Sequence, residues 1–216
     1  MCSSDLAKCY NNKAKKNSVI IPNPIIDNLP EPLPLLRQEV VSVGRLAPEK
    51  NHKILISAFS LFHKTHNKYK LIIYGSGPLK QELLTLAYEK GLDDSCFEIV
   101  EGKRNIAELI NGADLFVLPS NVEGMPNALI EAMAMGLTCI STDCPAFGSR
   151  MLIENGQNGY LIPVGSHEEL LKAMEDAIIH QNRNTLRLAA IGVRDKLNPS
   201  TIFNCWIDYF NKVVNA

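Results

Sequence analysis

Two glutamates, Glu123 and Glu131, flank the predicted start of one helix and are the residues best placed for chemistry. The apolar run before Pro119 is typical of a buried parallel strand, and Pro126 and Gly136 suit the two ends of the helix that follows. Free backbone N–H groups and the positive end of the helix dipole favour a phosphate at such a helix start. Because carboxylates accept hydrogen bonds from hydroxyl groups, the pair predicts a ligand that carries both phosphate and sugar hydroxyls.

Glu131 is the only charged residue of this otherwise apolar helix. A helix that is apolar on all sides is normally buried, and an unpaired buried carboxylate is costly. We therefore expect Glu131 to face a ligand. The alternative is that Glu123 is an exposed loop residue and that Glu131 lies on a solvated helix face.

Two cations, Arg45 and Lys50, lie in the loop after the first predicted strand. The carboxyl ends of parallel strands meet at one edge of a sheet, so this loop and Glu123 are expected at the same edge. The cations would neutralise the phosphate there, whereas the ordinary alternative is that they are surface charges. Asn51, which follows them, is expected to cap the next helix.

The composition indicates a soluble globular protein, with 46% hydrophobic and 21% charged residues. A formal net charge of -1 gives no general attraction to nucleic acid or to an anionic membrane. No apolar run is long enough to span a bilayer and no signal peptide is evident, so we expect a cytoplasmic protein. The six cysteines include no Cys-x-x-Cys pair and are interpreted as reduced, mostly buried thiols.

Strand and helix patterns alternate along the chain. Strands are predicted at 40–43, 70–74, 97–100, 114–118, 138–141 and 159–162. Helices are predicted at 52–66, 79–90, 105–111, 126–136, in a turn ending near 155, from 166 to about 181, at 184–195 and at 200–214. Ser166 and Glu169 have the spacing of a capping box at the start of one of them. The alternation predicts an α/β fold, a doubly wound parallel six-stranded Rossmann-like sheet with C-terminal helices.

The chain is divided into three parts. Residues 1–34 are interpreted as a polar N-terminal segment and a proline-rich hinge or linker, and the basic cluster at 13–16 is more typical of a solvated face than of a binding site. Residues 35–196 form the predicted Rossmann-like domain, and 197–216 a C-terminal helix.

Within the domain, Gly75 and Gly77 resemble the start of a dinucleotide fingerprint, but Lys80 stands where its third glycine belongs. We expect a tight turn there, and a nicotinamide-binding oxidoreductase is disfavoured.

Four motifs in the order of the chain resemble a known family. They are Gly44-Arg-Leu-Ala-Pro-Glu-Lys50, Tyr74-Gly-Ser-Gly-Pro78, Pro119-Ser-Asn-Val-Glu-Gly124 with Glu131-Ala-Met-Ala-Met-Gly136, and Asn155-Gly-Gln-Asn-Gly159. Together they are similar to the C-terminal, donor-binding domain of the retaining glycosyltransferases of family four, which have the GT-B architecture. The resemblance covers residues 19–214, and its most specific element is the spacing from Glu123 to Glu131.

The resemblance implies transfer of a sugar from a nucleotide-diphosphate sugar to a glycan or lipid-linked acceptor with retention, and it implies neither metal nor other cofactor. The positions that match catalytic residues are Arg45 and Lys50, on the diphosphate, and Glu123, on hydroxyls of the donor sugar. Glu131 matches the residue on the ribose hydroxyls. The remaining substrate-binding positions are motif glycines and residues of the helix start, namely Gly44, Gly124, Asn127, Ala128 and Leu129.

The sequence departs from the family in two ways. Pro126 stands where many members have glycine, and it removes one backbone donor. Family members also carry a second, acceptor-binding Rossmann-like domain on the N-terminal side, and only a short polar segment precedes residue 19 here. We therefore expect a fragment or a natural half whose acceptor binds through a missing domain, with peripheral membrane association of the full enzyme left open. The alternative function is a non-catalytic nucleotide-sugar-binding module.

Overall fold

A computed structural model describes residues 19–26, 28–33, 37–145, 148–179 and 183–214. The predictions for the polar N-terminal segment, for its basic cluster and for a helix end near 181 lie outside these residues. The predicted boundary between 34 and 35 lies outside them too, so the division into domains stays a prediction.

The described residues include six strands, which form one parallel sheet in the order β3-β2-β1-β4-β5-β6. The strands are β1 Arg37–Val43, β2 Lys70–Tyr74, β3 Phe97–Val100, β4 Ala113–Leu118, β5 Thr138–Thr142 and β6 Tyr160–Ile162. The chain adds strands first to one side of β1 and then, from β4 onward, to the other side, which confirms the predicted doubly wound sheet. The direction reverses between β1 and β4, and open α/β sheets bind ligands at the carboxyl ends of the strands beside such a switch point.

Helices alternate with these strands. In the described part of the chain they are α1 His52–Thr65, α2 Lys80–Glu89, α3 Ile106–Ile110, α4 Asn127–Ala134, α5 Gly148–Leu152, α6 His167–Ile179, α7 Arg183–Ile191, α8 Val193–Lys196 and α9 Pro199–Val214. A 3₁₀ turn, Pro48–Lys50, precedes α1. The Ser166 hydroxyl accepts a hydrogen bond from the Glu169 N–H at 3.2 Å, as expected for the N-cap of α6.

Three local predictions are corrected. Asn51 precedes α1 but adopts a left-handed backbone (φ 47°) and makes no capping hydrogen bond, because its side chain contacts a neighbouring loop instead. The helix predicted at 184–195 is two helices, and the break falls at Gly192, a residue with low helix propensity. Pro126 lies one position before α4, in an extended conformation, and not in its first turn.

The sheet separates two apolar cores because successive side chains of a strand point to opposite faces. Val40 packs in the core that includes Phe59 of α1 and Met174 of α6. Its neighbour Val41 packs in the other core, with Met133 of α4 and with residues of α7, α8 and α9. Helix α4 is therefore anchored along the second face, where it packs on β4 and β5.

The proline-rich segment contains neither helix nor strand in its described part, 19–26 and 28–33. It is nevertheless packed on the domain, since Ile21, Ile25 and Leu29 lie against the second core. The backbone N–H of Ile25 also donates to the carbonyl of Leu197 at 2.9 Å. The segment thus forms part of the folded unit and is not a free spacer.

Candidate functional site

Hydrogen bonds of Asn121 join the loops that follow β1 and β4. The backbone N–H of Asn121 donates to the carbonyl of Glu49 at 2.8 Å, and its Nδ2 donates to the carbonyl of Pro48 at 3.2 Å. Its Oδ1 accepts a hydrogen bond from Asn51 Nδ2 at 3.0 Å. The 3₁₀ turn after β1 is therefore fixed against the loop after β4, at the carboxyl edge of the switch point.

An ion pair between Lys50 and Glu123 lies at the centre of this edge. Lys50 Nζ lies 2.5 Å from Glu123 Oε1, and Ser120 Oγ donates to the same oxygen at 2.6 Å. The side chains of Lys50 and Glu123 are only 23% and 10% exposed, so the pair is shielded from solvent far more than an ordinary surface pair. Glu123 Oε2 accepts no hydrogen bond from the described residues, and the ammonium of Lys50 has further protons to donate. One carboxylate oxygen and one cation therefore remain able to meet a ligand.

Glycines allow the loops at this edge to approach closely. A Cβ at Gly44 would lie 3.4 Å from Cδ of Lys50, an ordinary van der Waals distance, so the lysine stem lies along this glycine. A Cβ at Gly75 would lie 1.9 Å from the carbonyl oxygen of Gly44, and one at Gly77 would lie 2.5 Å from that of Leu46. Gly75 and Gly77 thus let the β2 loop pack on the loop that carries Arg45 and Lys50.

The structure places Arg45 apart from the Lys50–Glu123 pair. Its guanidinium is 68% exposed and pairs with Glu49, four residues on, with Nη2 and Oε1 at 2.8 Å. An exposed pair of this kind contributes at most about 1 kcal/mol, so Arg45 can exchange its partner at little cost. Its predicted role on the diphosphate stays a prediction.

The first turn of α4 is only partly satisfied by its own hydrogen bonds. The N–H groups of Leu129 and Ile130 donate to the carbonyl of Pro126 at 3.0 and 3.1 Å. Among the described residues, no acceptor is present for the backbone N–H groups of Asn127 and Ala128. These two amides are therefore the clearest candidates for an anion, while the amide of Leu129 is already engaged.

Glu131 lies one turn further along α4 and is half-buried. It lines a small cleft with Pro24, Ile25 and Ile26 of the proline-rich segment. Burial raises the pKa of its carboxyl, and no side chain in the described ranges pairs with it. This is the opposite of Glu123, whose charge is met by Lys50 and Ser120.

Sequence reasoning missed the residues that position the site. Ser120 and Asn121 directly follow β4, where polar residues after a buried strand could have marked them. Asn23 donates from Nδ2 to Asn127 Oδ1 at 2.9 Å, and nothing in the sequence pairs positions so far apart. Gly124, a predicted substrate contact, is exposed, and its carbonyl lies against Gly148.

The described part of the chain contains no group of three or more side chains that could hold a metal ion. Of the predicted buried thiols, Cys96, Cys139 and Cys144 are free and buried, whereas Cys205 is free and exposed. No helix among the described residues is both long and apolar enough to cross a bilayer.

The family model described as Glycosyl transferases group 1 matches residues 30–190 of the chain. The chain is 31% identical over 176 residues to the amylovoran biosynthesis glycosyltransferase AmsD of Erwinia amylovora, covering 81% of this chain and 48% of that protein. It is 29% identical over 141 residues to an uncharacterized glycosyltransferase of Haemophilus influenzae, covering 65% of this chain and 39% of that protein. The chain thus spans less than half the length of these relatives.

Among solved structures, the pneumococcal O-GlcNAc transferase GtfA in complex with UDP and GlcNAc is similar, with a TM-score of 0.81. The match covers 92% of this chain and 40% of that chain, at 23% sequence identity. At this identity the likeness shows the fold alone, a Rossmann-like sheet of the kind found in GT-B proteins.

Proposed function

Because the chain belongs to the glycosyl transferases group 1 family, we propose that it is the C-terminal, donor-binding domain of a retaining glycosyltransferase of family four. Its ligand would be a nucleotide-diphosphate sugar, whose sugar is passed to a glycan or lipid-linked acceptor. The observation that carries the proposal is the Lys50–Glu123 pair, at 2.5 Å, beside the N-terminus of α4 at the switch point of the sheet.

The proposed chemistry needs negative charge to be stabilised on the departing nucleoside diphosphate. Lys50, the N–H groups of Asn127 and Ala128, and the positive end of the α4 dipole would supply that stabilisation without a metal. Arg45 would join them after leaving Glu49, since that surface pair holds it only weakly.

The two glutamates would recognise different parts of the donor. Glu123 is held rigidly through Oε1 and would accept hydrogen bonds from hydroxyls of the transferred sugar through Oε2. Glu131 would accept from the ribose hydroxyls, and the new hydrogen bonds would offset the cost of keeping its half-buried carboxylate charged.

Acceptor binding is proposed to lie elsewhere in the full enzyme. In the two curated relatives, more than half of the length lies outside the matched part. We propose that the chain alone binds donor but transfers sugar poorly, with acceptor held by a second domain. A donor-binding module with no transfer role is the second candidate, and activity after addition of the acceptor domain distinguishes the two.

Calorimetric titration of the purified chain with UDP, with and without EDTA, tests the proposal. UDP is the first probe because the pneumococcal relative was solved with it. We expect saturable binding that EDTA does not change, and tighter binding by at least one member of a panel of UDP, GDP and ADP sugars. Failure of every nucleoside diphosphate and nucleotide sugar to bind would overturn the donor-site proposal.

Glu123→Gln and Glu131→Gln then separate the two roles. Glu131→Gln should weaken UDP and the full donor alike, because both carry ribose. Glu123→Gln should leave UDP binding nearly unchanged and weaken the full donor by about tenfold or more, since a hydrogen bond to a charged group contributes about 1.5–3 kcal/mol. Equal losses for both ligands in Glu123→Gln would reject its assignment to the sugar.

A further inference from the structure

The side-chain amides of Asn23 and Asn127 meet at the N-terminus of α4. Asn23 Nδ2 donates to Asn127 Oδ1 at 2.9 Å. Asn127 is the first residue of α4, and its side chain is exposed. The contact therefore lies beside the amides that the proposed function assigns to the diphosphate.

A primary amide has an acceptor end and a donor end, and rotation of the side chain exchanges them. Since Asn127 Oδ1 is already bound to Asn23, its Nδ2 is the end that faces away from that contact. Within the described ranges, this Nδ2 has no acceptor. The first turn of α4 then offers side-chain and backbone donors together, which suits an anion.

Asn23 is held in place independently of any ligand. The segment that carries it is tied to the link between α8 and α9 by the hydrogen bond from Ile25 N to the carbonyl of Leu197. Further along, Arg194 Nη2 donates to the carbonyl of Pro30 at 2.7 Å, and Arg187 Nη2 donates to that of Leu33 at 2.9 Å. The segment is thus fixed along the whole length of α4, so the orientation of Asn127 is set before a ligand arrives.

We propose that Asn23 is a positioning residue that fixes the side-chain amide of Asn127 with its nitrogen toward the diphosphate. The inference rests on the proposed function, because it needs an anion at the start of α4. The proline-rich segment would then be a second element of the donor site. Asn23 orients Asn127, and residues 24–26 line the cleft that contains Glu131.

Asn23→Asp tests the inference by reversing the amide. A carboxylate at this position accepts only, so it would take the Nδ2 hydrogens of Asn127 and turn Oδ1 toward the phosphate. UDP affinity should fall by about ten- to a hundredfold, the value of one charged hydrogen bond. Asn28→Asp, which adds the same charge to the same segment away from the contact, should change UDP affinity by less than about threefold because exposed charges are screened by salt.

The double variant separates positioning from simple charge repulsion. In an Asn127→Ala background there is no amide to reverse, so adding Asn23→Asp should cost UDP affinity no more than the Asn28→Asp control does. Asn23→Ala, which frees the amide without reversing it, should fall between the original chain and Asn23→Asp. Calorimetry on each chain gives affinity per binding-competent molecule, and a loss of folded protein appears as a lower stoichiometry.

The outcomes are distinguishable. Equal losses from Asn23→Asp in the presence and absence of the Asn127 amide, or no loss at all, would overturn the inference while leaving the donor site intact. No UDP binding by the unsubstituted chain would overturn the donor site and the inference together. The inference is supported if Asn23→Asp causes a large loss of UDP affinity in the original chain but no loss beyond the Asn28→Asp control in the Asn127→Ala background.

Discussion

The two ends of α4 are built in opposite ways. At the C-terminal end, the carbonyls of Gly136 and Ala134 accept hydrogen bonds from Arg187 Nε at 2.5 Å and Arg194 Nε at 2.7 Å. Gly136 takes the left-handed conformation (φ 71°) that commonly ends a helix. At the N-terminal end, the N–H groups of Asn127 and Ala128 find no acceptor among the described residues. One end is closed by side chains of the protein, and the other is the end at which we propose that the ligand binds.

We infer from this difference that one end serves stability and the other serves binding. Two guanidinium groups meet the negative end of the helix dipole and at the same time hold the proline-rich segment. Among the described residues, no carbonyl or carboxylate accepts a hydrogen bond from the amides of Asn127 and Ala128, and the carboxylate of Glu123 is paired with Lys50 instead. Substitutions at the C-terminal end should therefore change unfolding, and those at the N-terminal end should change affinity.

Arg187→Ala should show the largest effect, at the closed end. It removes the hydrogen bonds of a buried guanidinium to Gly136 and Leu33, and each hydrogen bond to a charged group contributes about 1.5–3 kcal/mol, so the free energy of unfolding should fall by about 3–5 kcal/mol. Urea denaturation measures this, with Arg104→Ala, an exposed arginine, as control. UDP affinity per folded molecule should not change, because the hydrogen bond from Ile25 to Leu197 still holds the part of the segment that carries Asn23. A selective loss of affinity would break the comparison.

His52, the first residue of α1, should produce the next largest effect. It is an exception to the comparison, because it lies two residues after Lys50 and yet its substitution should change stability. Burial, followed by the charge of Lys50, lowers its pKa from 6.5 to about 4. The unfolded chain then binds more protons between these values, so stability is fully present above pH 6.5 and is lost as pH falls toward 4. A shift of this size corresponds to about 3 kcal/mol.

Denaturation of the original chain and of His52→Leu between pH 7 and pH 4 measures that loss. The original chain should lose about 3 kcal/mol more than the variant over this range. His167→Gln, at a partly exposed histidine, should follow the original chain. Identical pH profiles for the original chain and His52→Leu would mean that His52 does not control acid stability.

Lys50→Ala should weaken UDP binding by about thirtyfold, or about 2 kcal/mol, because it removes the partly buried cation of the site. Lys53→Ala is the matched control, since Lys53 pairs with Glu82 at the surface. Titration calorimetry resolves a change of this size. Unchanged UDP affinity would mean that Lys50 does not bind the phosphate and that its role is only to pair with Glu123.

Glu131→Gln sharpens the comparison because affinity and stability should move in different directions. UDP affinity should fall by about tenfold as one charged hydrogen bond to ribose is lost. The melting temperature should not fall, since burial raises the pKa of this carboxyl and its charge therefore costs folding energy at neutral pH. A lower melting temperature with unchanged affinity would assign Glu131 a structural role.

Arg45→Ala should have the smallest effect, a loss of UDP affinity below about fivefold, because an exposed arginine that exchanges partners contributes less than about 1 kcal/mol. Calorimetry at low and high salt checks it, since the contribution of an exposed charge should shrink as salt is added. A loss as large as that of Lys50→Ala would show that the loop closes on the ligand.

The sheet and the edge that carries the site could be predicted from the sequence, because strand and helix periods alternate clearly and parallel strands share one carboxyl edge. The contact between Lys50 and Glu123 could not, since it depends on how Asn121 folds two loops together. Asn23 was missed because an extended segment rich in proline has no periodicity to indicate which surface it packs on. Asn51 was wrongly assigned as a helix cap. Residue propensity identifies the start of a helix, but it does not reveal that a neighbouring loop binds the same side chain.

The close glycine contacts have a mechanical consequence. A Cβ at Gly148 would lie 1.5 Å from the carbonyl oxygen of Gly124, just as one at Gly75 would lie 1.9 Å from that of Gly44. Backbone therefore touches backbone between the β5 and β4 loops and between the β2 and β1 loops, and Asn121 joins the two middle loops. Four loops are thus linked in series by backbone contacts and by the hydrogen bonds of Asn121, so we expect a displacement of any one of them to move its neighbours as well.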